Sequence, residues 1–432
     1  MRKVILSLAL LSLMSINTAQ CYTPTKENLE KRREFQDAKL GIFIHWGIYS
    51  MLADGEWVLN NKNINYKKYA DLAAGFYPSK FSAEEWVTIA KNAGAKYICI
   101  TTRHHDGFSM FRTKYSPYNI IEATPFKRDI IKELAEECKK QGIKLHLYYS
   151  HLDWGREDYP IGNTGQNLGR PTNKEDWNSY YNFMNNQIKE LLTNYGEIGA
   201  IWFDGVWDRS EKDWQLEEQY SLIHKIQPQC LIGNNHHKEI IAGEDFQLFE
   251  KDLPGKNTTG FATNQKVSQL PLESCETTND TWGYDIKDNN YKSPEKLIQL
   301  LVRNAGMNAN LLLNVGPQPN GRFPEESKRN LKAIGEWLEK YGESVYGTRG
   351  GTIPSHVWGV TTSKGDTLYV HILNLQDKNL FLPLTNNKVK SAQSMITGEK
   401  ITYKQDNDGI LLKLKEVPTE TDHIIKLIIK KQ

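Results

Sequence analysis

The chain of 432 residues is long enough for a barrel domain of about 250 to 350 residues and one small additional domain. Its 54 Lys and Arg residues are nearly balanced by 52 Asp and Glu residues, which leaves a formal net charge of +2. Because no basic stripe stands out either, the composition argues against nucleic acid and acidic membrane surfaces as partners.

The N-terminus has the pattern of a secretory signal peptide, which we predict over residues 1–20. Arg2 and Lys3 precede an apolar run over 4–14 that is too short to span a bilayer. We therefore expect a periplasmic or secreted protein with no stable membrane insertion. Cleavage just before Cys21 would instead leave a lipid-anchored N-terminus. This alternative is less favoured because Gln20 is a poor residue before a lipidated cysteine.

After about residue 30, short apolar strands alternate with longer helical patterns. A capping box that begins at Ser82 opens one helix, and Gly94 and Gly142 each end one. This alternation predicts an α/β fold with a (β/α)8-like, TIM-type barrel over 21–350. The predicted strands are 39–45, 97–102, 143–149, 198–203, 230–235, a short strand into Glu273 and Cys275, and 310–315. The predicted helices are 82–93, 128–140, 177–195, 216–226, 293–305 and 324–341. An irregular stretch is expected over 236–270.

Beyond a glycine-rich break at 346–355 the hydrophobic period changes from helical to alternating. This change predicts a C-terminal antiparallel β-sandwich over 351–432. We assign it a packing role against the barrel, with sugar binding as the alternative. Its predicted strands are 367–373, 379–384, 409–414 and 423–430.

The cysteines and glycines give no sign of a metal site or a cofactor. Cys99, Cys138, Cys230 and Cys275 lie in apolar or helical contexts without a C-x-x-C pair, which predicts buried free thiols. No phosphate-cradling Gly-rich loop or dinucleotide fingerprint is evident, so no cofactor is expected.

Polar residues at the ends of several predicted strands indicate an active site. The apolar run 200–205 delivers Asp204 at its end; alone, an Asp-Gly pair is more often a turn or a helix cap. The runs 43–47, 99–106 and 145–150 repeat the design, each ending in His, Tyr or Asp beside an aromatic residue. Strand ends that converge on one aromatic-walled polar pocket are typical of a barrel enzyme, and rings suit the C–H faces of sugars.

These segments resemble the α-L-fucosidases of glycoside hydrolase family 29. The resemblance implies a barrel followed by a β-sandwich, and a retaining exo-hydrolase that removes terminal α-linked L-fucose from fucosylated oligosaccharides or glycoconjugates. The matching segments, in order along the barrel, are 41–47, 55–57, 103–108, 148–154, 202–205, 272–275, 282–284 and 310–317.

The resemblance also assigns roles to two carboxylates. In retaining glycosidases one carboxylate attacks the anomeric carbon, and a second, roughly 5 to 5.5 Å away, serves as acid and then as base. Asp204 matches the nucleophile. Glu273 matches the acid/base, just before Ser274-Cys275, although Leu272 stands where the family commonly has tryptophan; Glu276 and Glu250 are the alternatives.

The remaining site residues follow from the hydroxyls of fucose, which need mixed donors and acceptors. Residues that match hydroxyl-binding positions are His45, Glu56, Trp57, His104, His105 and Tyr148. Trp202 and Trp282 are expected to wall the pocket, although core packing explains either about as well. The pair His236-His237 is interpreted as an ordinary satisfied histidine pair without a site role.

Two other classes of protein stay open at this stage. A metal-dependent barrel hydrolase could take ligands from His45, His104, His105, Asp204 and His236, but such barrels usually place two histidines one residue apart on the first strand, and here that strand offers only His45. A non-catalytic carbohydrate-binding protein would need aromatic residues without a matched carboxylate pair. No pattern predicts the oligomeric state or the preferred fucosyl linkage.

Overall fold

The structure is a computed structural model that describes residues 22–262 and 265–431. The predicted signal peptide and the alternative anchor at Cys21 lie outside the described residues. In the described part of the chain, no helix is both long enough and apolar enough to cross a membrane.

Eight parallel strands form one curved sheet. The strands are β1 Leu40–Ile44, β2 Tyr97–Arg103, β3 Lys144–Ser150, β4 Ala200–Asp204, β5 Leu231–Asn235, β6 Gln247–Glu250, β7 Leu272–Thr277 and β8 Ala309–Val315. Their order in the sheet is β5-β4-β3-β2-β1-β8-β7-β6. The first and last strands of this order, β5 and β6, are joined by the backbone N–H groups of Asp245 and Phe246, which donate to the carbonyl of Ile232. This nearly closed barrel confirms the predicted fold class.

The capping residues recognised in the sequence lie at helix ends in the structure. The Ser82 hydroxyl accepts the N–H of Glu85 at the start of the helix Ala83–Asn92, and Gly142 ends the helix Ile130–Gln141 with a φ of 74°, a left-handed conformation that glycine adopts without strain. The helices are α1 Lys26–Ala38, α2 Val58–Asn61, α3 Tyr66–Ala70, α4 Ala83–Asn92, α5 Ile130–Gln141, α6 Trp177–Asn194, α7 Leu216–Ile226, α8 Pro294–Gly306 and α9 Glu325–Tyr341.

Strand β6 lies inside the stretch 236–270, for which no regular structure was predicted. It has four residues, too few for a hydrophobic period to be read, and only its parallel pairing with β7 defines it as a strand. This pairing places Glu250 at the carboxyl end of a barrel strand.

Two antiparallel sheets follow the barrel. Their strands are β9 Arg349–Gly350, β10 Gly359–Lys364, β11 Thr367–Ile372, β12 Asn379–Leu382, β13 Asn387–Ser394, β14 Thr402–Gln405, β15 Ile410–Lys413 and β16 His423–Lys431. One sheet has five strands in the order β13-β16-β11-β10-β9, and the other has three in the order β12-β15-β14. Buried side chains from both sheets, such as Val370, Leu382 and Leu427, form a shared core, so the two sheets make a β-sandwich.

Side chains from both parts of the chain share one hydrophobic core. Val360, Tyr369 and Ile424 of the sandwich belong to the same buried cluster as the barrel. The cysteines at 99, 138, 230 and 275 are buried and free, as predicted.

Candidate active site

A cavity of about 420 Å³ lies where the carboxyl ends of the barrel strands meet. Every residue predicted for the site lines this cavity except Glu273. The lining residues are Phe43, His45, Glu56, Trp57, His104, His105, Tyr148, Trp202, Asp204, Trp207, Asn235, His237, Glu250, Phe261, Cys275 and Trp282. The cavity is therefore polar at its strand ends and aromatic along its walls.

Asp204 is the last residue of β4, and several donors hold its carboxylate. Oδ1 accepts the N–H of Gly205 at 2.8 Å and the indole N–H of Trp207 at 3.0 Å. Oδ2 accepts the hydroxyl of Tyr148 at 2.9 Å and lies 3.6 Å from Nε2 of His105. These contacts fix the rotation of a carboxylate whose side chain keeps 13% of its surface exposed to the cavity.

The turn after Asp204 requires glycine. Gly205 has a φ of 95°, and a Cβ at this position would lie 2.8 Å from Cβ of Leu152 and 2.9 Å from its backbone nitrogen. A side chain here would therefore be strained both by its backbone conformation and by contact with a neighbouring loop. The Asp-Gly pair is a turn, and this turn also positions the carboxylate.

Glu250, at the end of β6, is the second carboxylate that a strand end brings to the cavity; Glu56, which is not on a barrel strand, also lines it. The amide nitrogen of Asn235 donates to Oε2 of Glu250 at 2.8 Å and to Oδ1 of Asp204 at 3.4 Å. Because one nitrogen contacts both carboxylates, their separation is compatible with the roughly 5 to 5.5 Å of retaining glycosidases. Burial, and next the negative charge of Asp204, raise the pKa of Glu250 to about 7.

Glu273 lies below the cavity. It is 1% exposed, and its carboxyl group accepts the hydroxyl of Tyr97 and, at 3.0 Å, the indole N–H of Trp202. Burial raises its pKa to about 7 as well, so a raised pKa alone does not distinguish the two glutamates.

Strand register explains why Glu273 does not reach the cavity. Cys275 pairs with Glu250, whereas Glu273 pairs with Leu248, two residues deeper in the barrel. Residues two apart on a barrel strand point to the same side but occupy different layers. The prediction that Glu273 is the acid/base does not fit this placement. Glu276 points elsewhere, with an oxygen 3.4 Å from Nζ of Lys292.

The predicted hydroxyl-binding residues are brought together in the same cavity, and two of them, His105 and Tyr148, contact Asp204. Nδ1 of His45 lies 2.7 Å from the amide oxygen of Asn314, and Nδ1 of His105 lies 2.7 Å from the hydroxyl of Ser150. Burial lowers the pKa of His45 to about 3 and that of His105 to about 4, so both rings are neutral at pH 7. A neutral imidazole has one donor and one acceptor nitrogen, which suits hydroxyl groups.

Aromatic rings complete the walls, and Trp207 and Phe261 were not among the predicted site residues. Trp207 stacks on Trp57 with ring centroids 5.9 Å apart and planes 11° from parallel, and it also contacts Asp204. Trp202 is 3% exposed and Trp282 lies 5.2 Å from the ring of His45, so each packs against other rings and also lines the cavity. The face of a sugar ring fits such a wall.

The histidine pair after β5 divides between core and cavity. His236 is buried, and its Nε2 lies 2.8 Å from Glu244, which agrees with its interpretation as an ordinary histidine. His237 lines the cavity, so that interpretation was wrong for this residue. Asn235, also not predicted, ends a barrel strand, and the strand-end rule applied to β5 would have found it.

Within residues 22–262 and 265–431, no three or more His, Cys, Asp and Glu side chains have the arrangement of a metal site. Of the five residues considered as metal ligands, His45, His104, His105 and Asp204 line the cavity, and His236 does not.

A barrel whose strand ends hold two neighbouring carboxylates in an aromatic-walled polar cavity is typical of glycoside hydrolases. Comparison with known proteins agrees. A sequence model described as Alpha-L-fucosidase matches residues 9–343. The chain is 28% identical to the Alpha-L-fucosidase of Dictyostelium discoideum, covering 92% of this chain and 91% of that protein. It is 27% identical to the Tissue alpha-L-fucosidase of Homo sapiens, covering 92% of this chain and 88% of that protein.

Solved structures show the same similarity. Alpha-L-fucosidase isoenzyme 1 from Paenibacillus thiaminolyticus has a TM-score of 0.83 and 32% identity, over 94% of this chain and all of that one. A GH29 α-L-fucosidase from Bacteroides thetaiotaomicron has a TM-score of 0.81 and 28% identity, over 93% of this chain and 96% of that one. Its structure is described as a trapped covalent intermediate in complex with 2-fluoro-fucosyl fluoride. The chain therefore belongs to the α-L-fucosidase family, glycoside hydrolase family 29.

Proposed function

We propose that this enzyme is a retaining exo-α-L-fucosidase in which Asp204 is the nucleophile and Glu250 the acid/base. The observation that carries the proposal is the amide of Asn235, which contacts both carboxylates within one cavity. Glu250 replaces Glu273, the acid/base expected from sequence, because Glu273 does not line the cavity.

In the first step an oxygen of Asp204 attacks the anomeric carbon of a terminal fucose. The bond from that carbon to the glycosidic oxygen breaks, and Glu250 protonates the departing oxygen. In the second step Glu250 removes a proton from water, which attacks the same carbon and releases Asp204. Two displacements restore the α configuration of the sugar.

The electrostatics of Glu250 suit both of its roles. The negative charge of Asp204 contributes to its raised pKa, which keeps a useful fraction protonated near neutral pH. When Asp204 becomes an ester in the covalent intermediate, that charge is lost. The pKa of Glu250 then falls, and the group becomes the base that the second step needs.

The size of the cavity supports an exo enzyme acting on one sugar at a time. Its volume of about 420 Å³ is near the lower end of the roughly 300 to 1,000 Å³ typical of ligand sites. His45, Glu56, His104 and His105 would hold the hydroxyls of fucose, and the tryptophans would wall its ring. The substrate would be a fucosylated oligosaccharide or glycoconjugate; export from the cytoplasm stays a prediction.

Hydrolysis of an aryl α-L-fucoside in excess chelator, followed by NMR at early times, tests the proposal. We expect undiminished turnover and α-L-fucose as the first product. Loss of activity in chelator would instead favour the metal-dependent hydrolase. Release of the β anomer first would contradict the double displacement, and failure to cleave any fucoside would favour a binding protein.

A further inference from the structure

Phe261 is a large aromatic residue that the proposed chemistry does not use. It is 46% exposed, and it lines the same cavity as the two carboxylates. Large exposed aromatic side chains are informative when they border a ligand site, because exposure costs free energy that contact with a ligand recovers.

The position of Phe261 relative to Glu250 indicates which part of the substrate it meets. Its ring stacks on that of His237, with centroids 5.2 Å apart and planes 24° from parallel. Nε2 of His237 in turn lies 3.6 Å from Oε2 of Glu250. The two rings thus lead from Glu250 to the exposed side chain of Phe261.

The two rings come from separate loops that flank β6. His237 follows β5 with a φ of 57°, an uncommon conformation for a residue with a side chain, and Phe261 follows β6. Burial lowers the pKa of His237, so its ring is neutral at pH 7 and packs as an aromatic surface.

We infer that His237 and Phe261 form the binding surface for the leaving group, and that this group is a pyranose whose C–H face lies on the ring of Phe261. The inference rests on the proposed function, because it follows from the place of Glu250. An acid that protonates the glycosidic oxygen must lie beside the first atoms of the leaving group; His237 lies beside Glu250, and Phe261 stacks on His237. Aromatic faces bind the C–H faces of sugars, whereas a small alcohol would gain little from them.

The test compares two substrates that share the fucosyl group. One is the fucosylated disaccharide that the wild-type enzyme cleaves fastest among 2-, 3-, 4- and 6-linked forms; the other is α-L-fucosyl fluoride, whose leaving group has no ring. For Phe261→Ala we expect kcat/KM on the disaccharide to fall roughly tenfold more than on the fluoride, mainly through KM, which is the scale of one ring contact. Phe261→Tyr should restore the disaccharide activity.

Phe381→Ala is the matched control, because Phe381 is 50% exposed on β12 of the sandwich and does not line the cavity. Its kinetics on both substrates should equal those of the wild type. Equal losses on the two substrates in Phe261→Ala, or a wild-type enzyme that cleaves the fluoride and no disaccharide, would overturn the leaving-group surface and leave the proposed function intact. A wild-type enzyme that cleaves neither substrate would overturn the proposed function itself.

Discussion

Asn235 connects the two carboxylates on which the proposed chemistry depends. Its amide nitrogen donates to Asp204 and Glu250 together, so it holds the pair in one arrangement. An amide has no charge at any pH of interest, and it therefore orients both carboxylates without cancelling the negative charge that raises the pKa of Glu250.

Replacing Asp204 by Asn should remove the nucleophile with little change of shape. We expect kcat to fall by a factor on the order of 10³ or more, because the covalent step cannot proceed. Thermal unfolding should stay within a few degrees of wild type. In Asp204→Ala, azide should restore part of the activity by attacking from the vacated side; a variant that keeps most of its turnover without azide would contradict the assignment.

The two glutamates with raised pKa values should respond differently to substitution. In Glu250→Ala, an activated phenol still departs without protonation but a sugar alcohol does not. The loss of kcat/KM on a fucosylated disaccharide should therefore exceed the loss on an aryl fucoside by on the order of 10². Glu273→Gln, which keeps an acceptor for Trp202, is the control and should show no such dependence on the leaving group. The reverse pattern would return the acid/base role to Glu273.

At the scale of elements, the end of β4 and the turn that follows it set the position of Asp204. Gly205 occupies a left-handed conformation against Leu152, so the strand end is held by backbone geometry as well as by hydrogen bonds. Sites on strand ends are positioned more accurately than sites on long loops.

Two glycine substitutions separate stability from positioning. Gly142→Ala meets open space at a left-handed φ of 74° and should lower the free energy of unfolding by about 1 kcal/mol with kcat unchanged. Gly205→Ala adds contact with Leu152 and should destabilise further. It should also lower kcat by roughly tenfold or more, because small displacements of a nucleophile are costly. Denaturant unfolding and kinetics measure both effects; an unchanged kcat in Gly205→Ala would show that the turn does not position Asp204.

At the scale of the whole molecule, burial of histidines sets the response to acid. Burial lowers the pKa values of His45 and His146 to about 3 and those of His105 and His151 to about 4, against about 6.5 unfolded. Between these values the unfolded chain binds protons that the folded chain does not, so the free energy of unfolding falls as pH is lowered.

The buried carboxyl groups with raised pKa values act in the opposite sense. Glu250 and Glu273, raised to about 7, and Asp106, raised to about 6, hold protons in the folded state, so their contribution is present at low pH and is lost as pH rises. Burial also lowers the pKa values of His104 and His237 and raises those of Glu56 and Asp208, so six histidines oppose five carboxyl groups, and we expect a net loss of stability on acidification.

The unfolding temperature should therefore fall as pH is lowered from about 7 to about 5. His146 lies outside the cavity, stacked on Tyr97 at 4.5 Å, so His146→Phe removes one proton-binding group and keeps a ring. This variant should show a smaller fall than the wild type. The same substitution at the exposed His356 is the control and should leave the pH dependence unchanged. A wild-type protein equally stable at both pH values would contradict this account.

The amino-acid sequence by itself determined the fold class and most of the cavity. Apolar runs that end in polar residues are local patterns, and the parallel arrangement of a barrel brings all such ends to one face, so Asp204, His45 and Tyr148 could be placed together before any coordinates. Glu250 was named only as an alternative, and Trp207, Asn235, His237 and Phe261 were not named as site residues.

Only the tertiary structure showed which of the two glutamates lines the cavity. β6 is too short to show a period in sequence, and the pairing of β6 with β7 sets Glu250 level with Cys275 and Glu273 one layer deeper, beneath Trp202. The rings of His237 and Phe261, proposed to bind the leaving group, likewise come from two loops separated in sequence. The reason is that strand register and loop contact depend on residues far apart in the chain, whereas a sequence pattern reports only the preferences of neighbours.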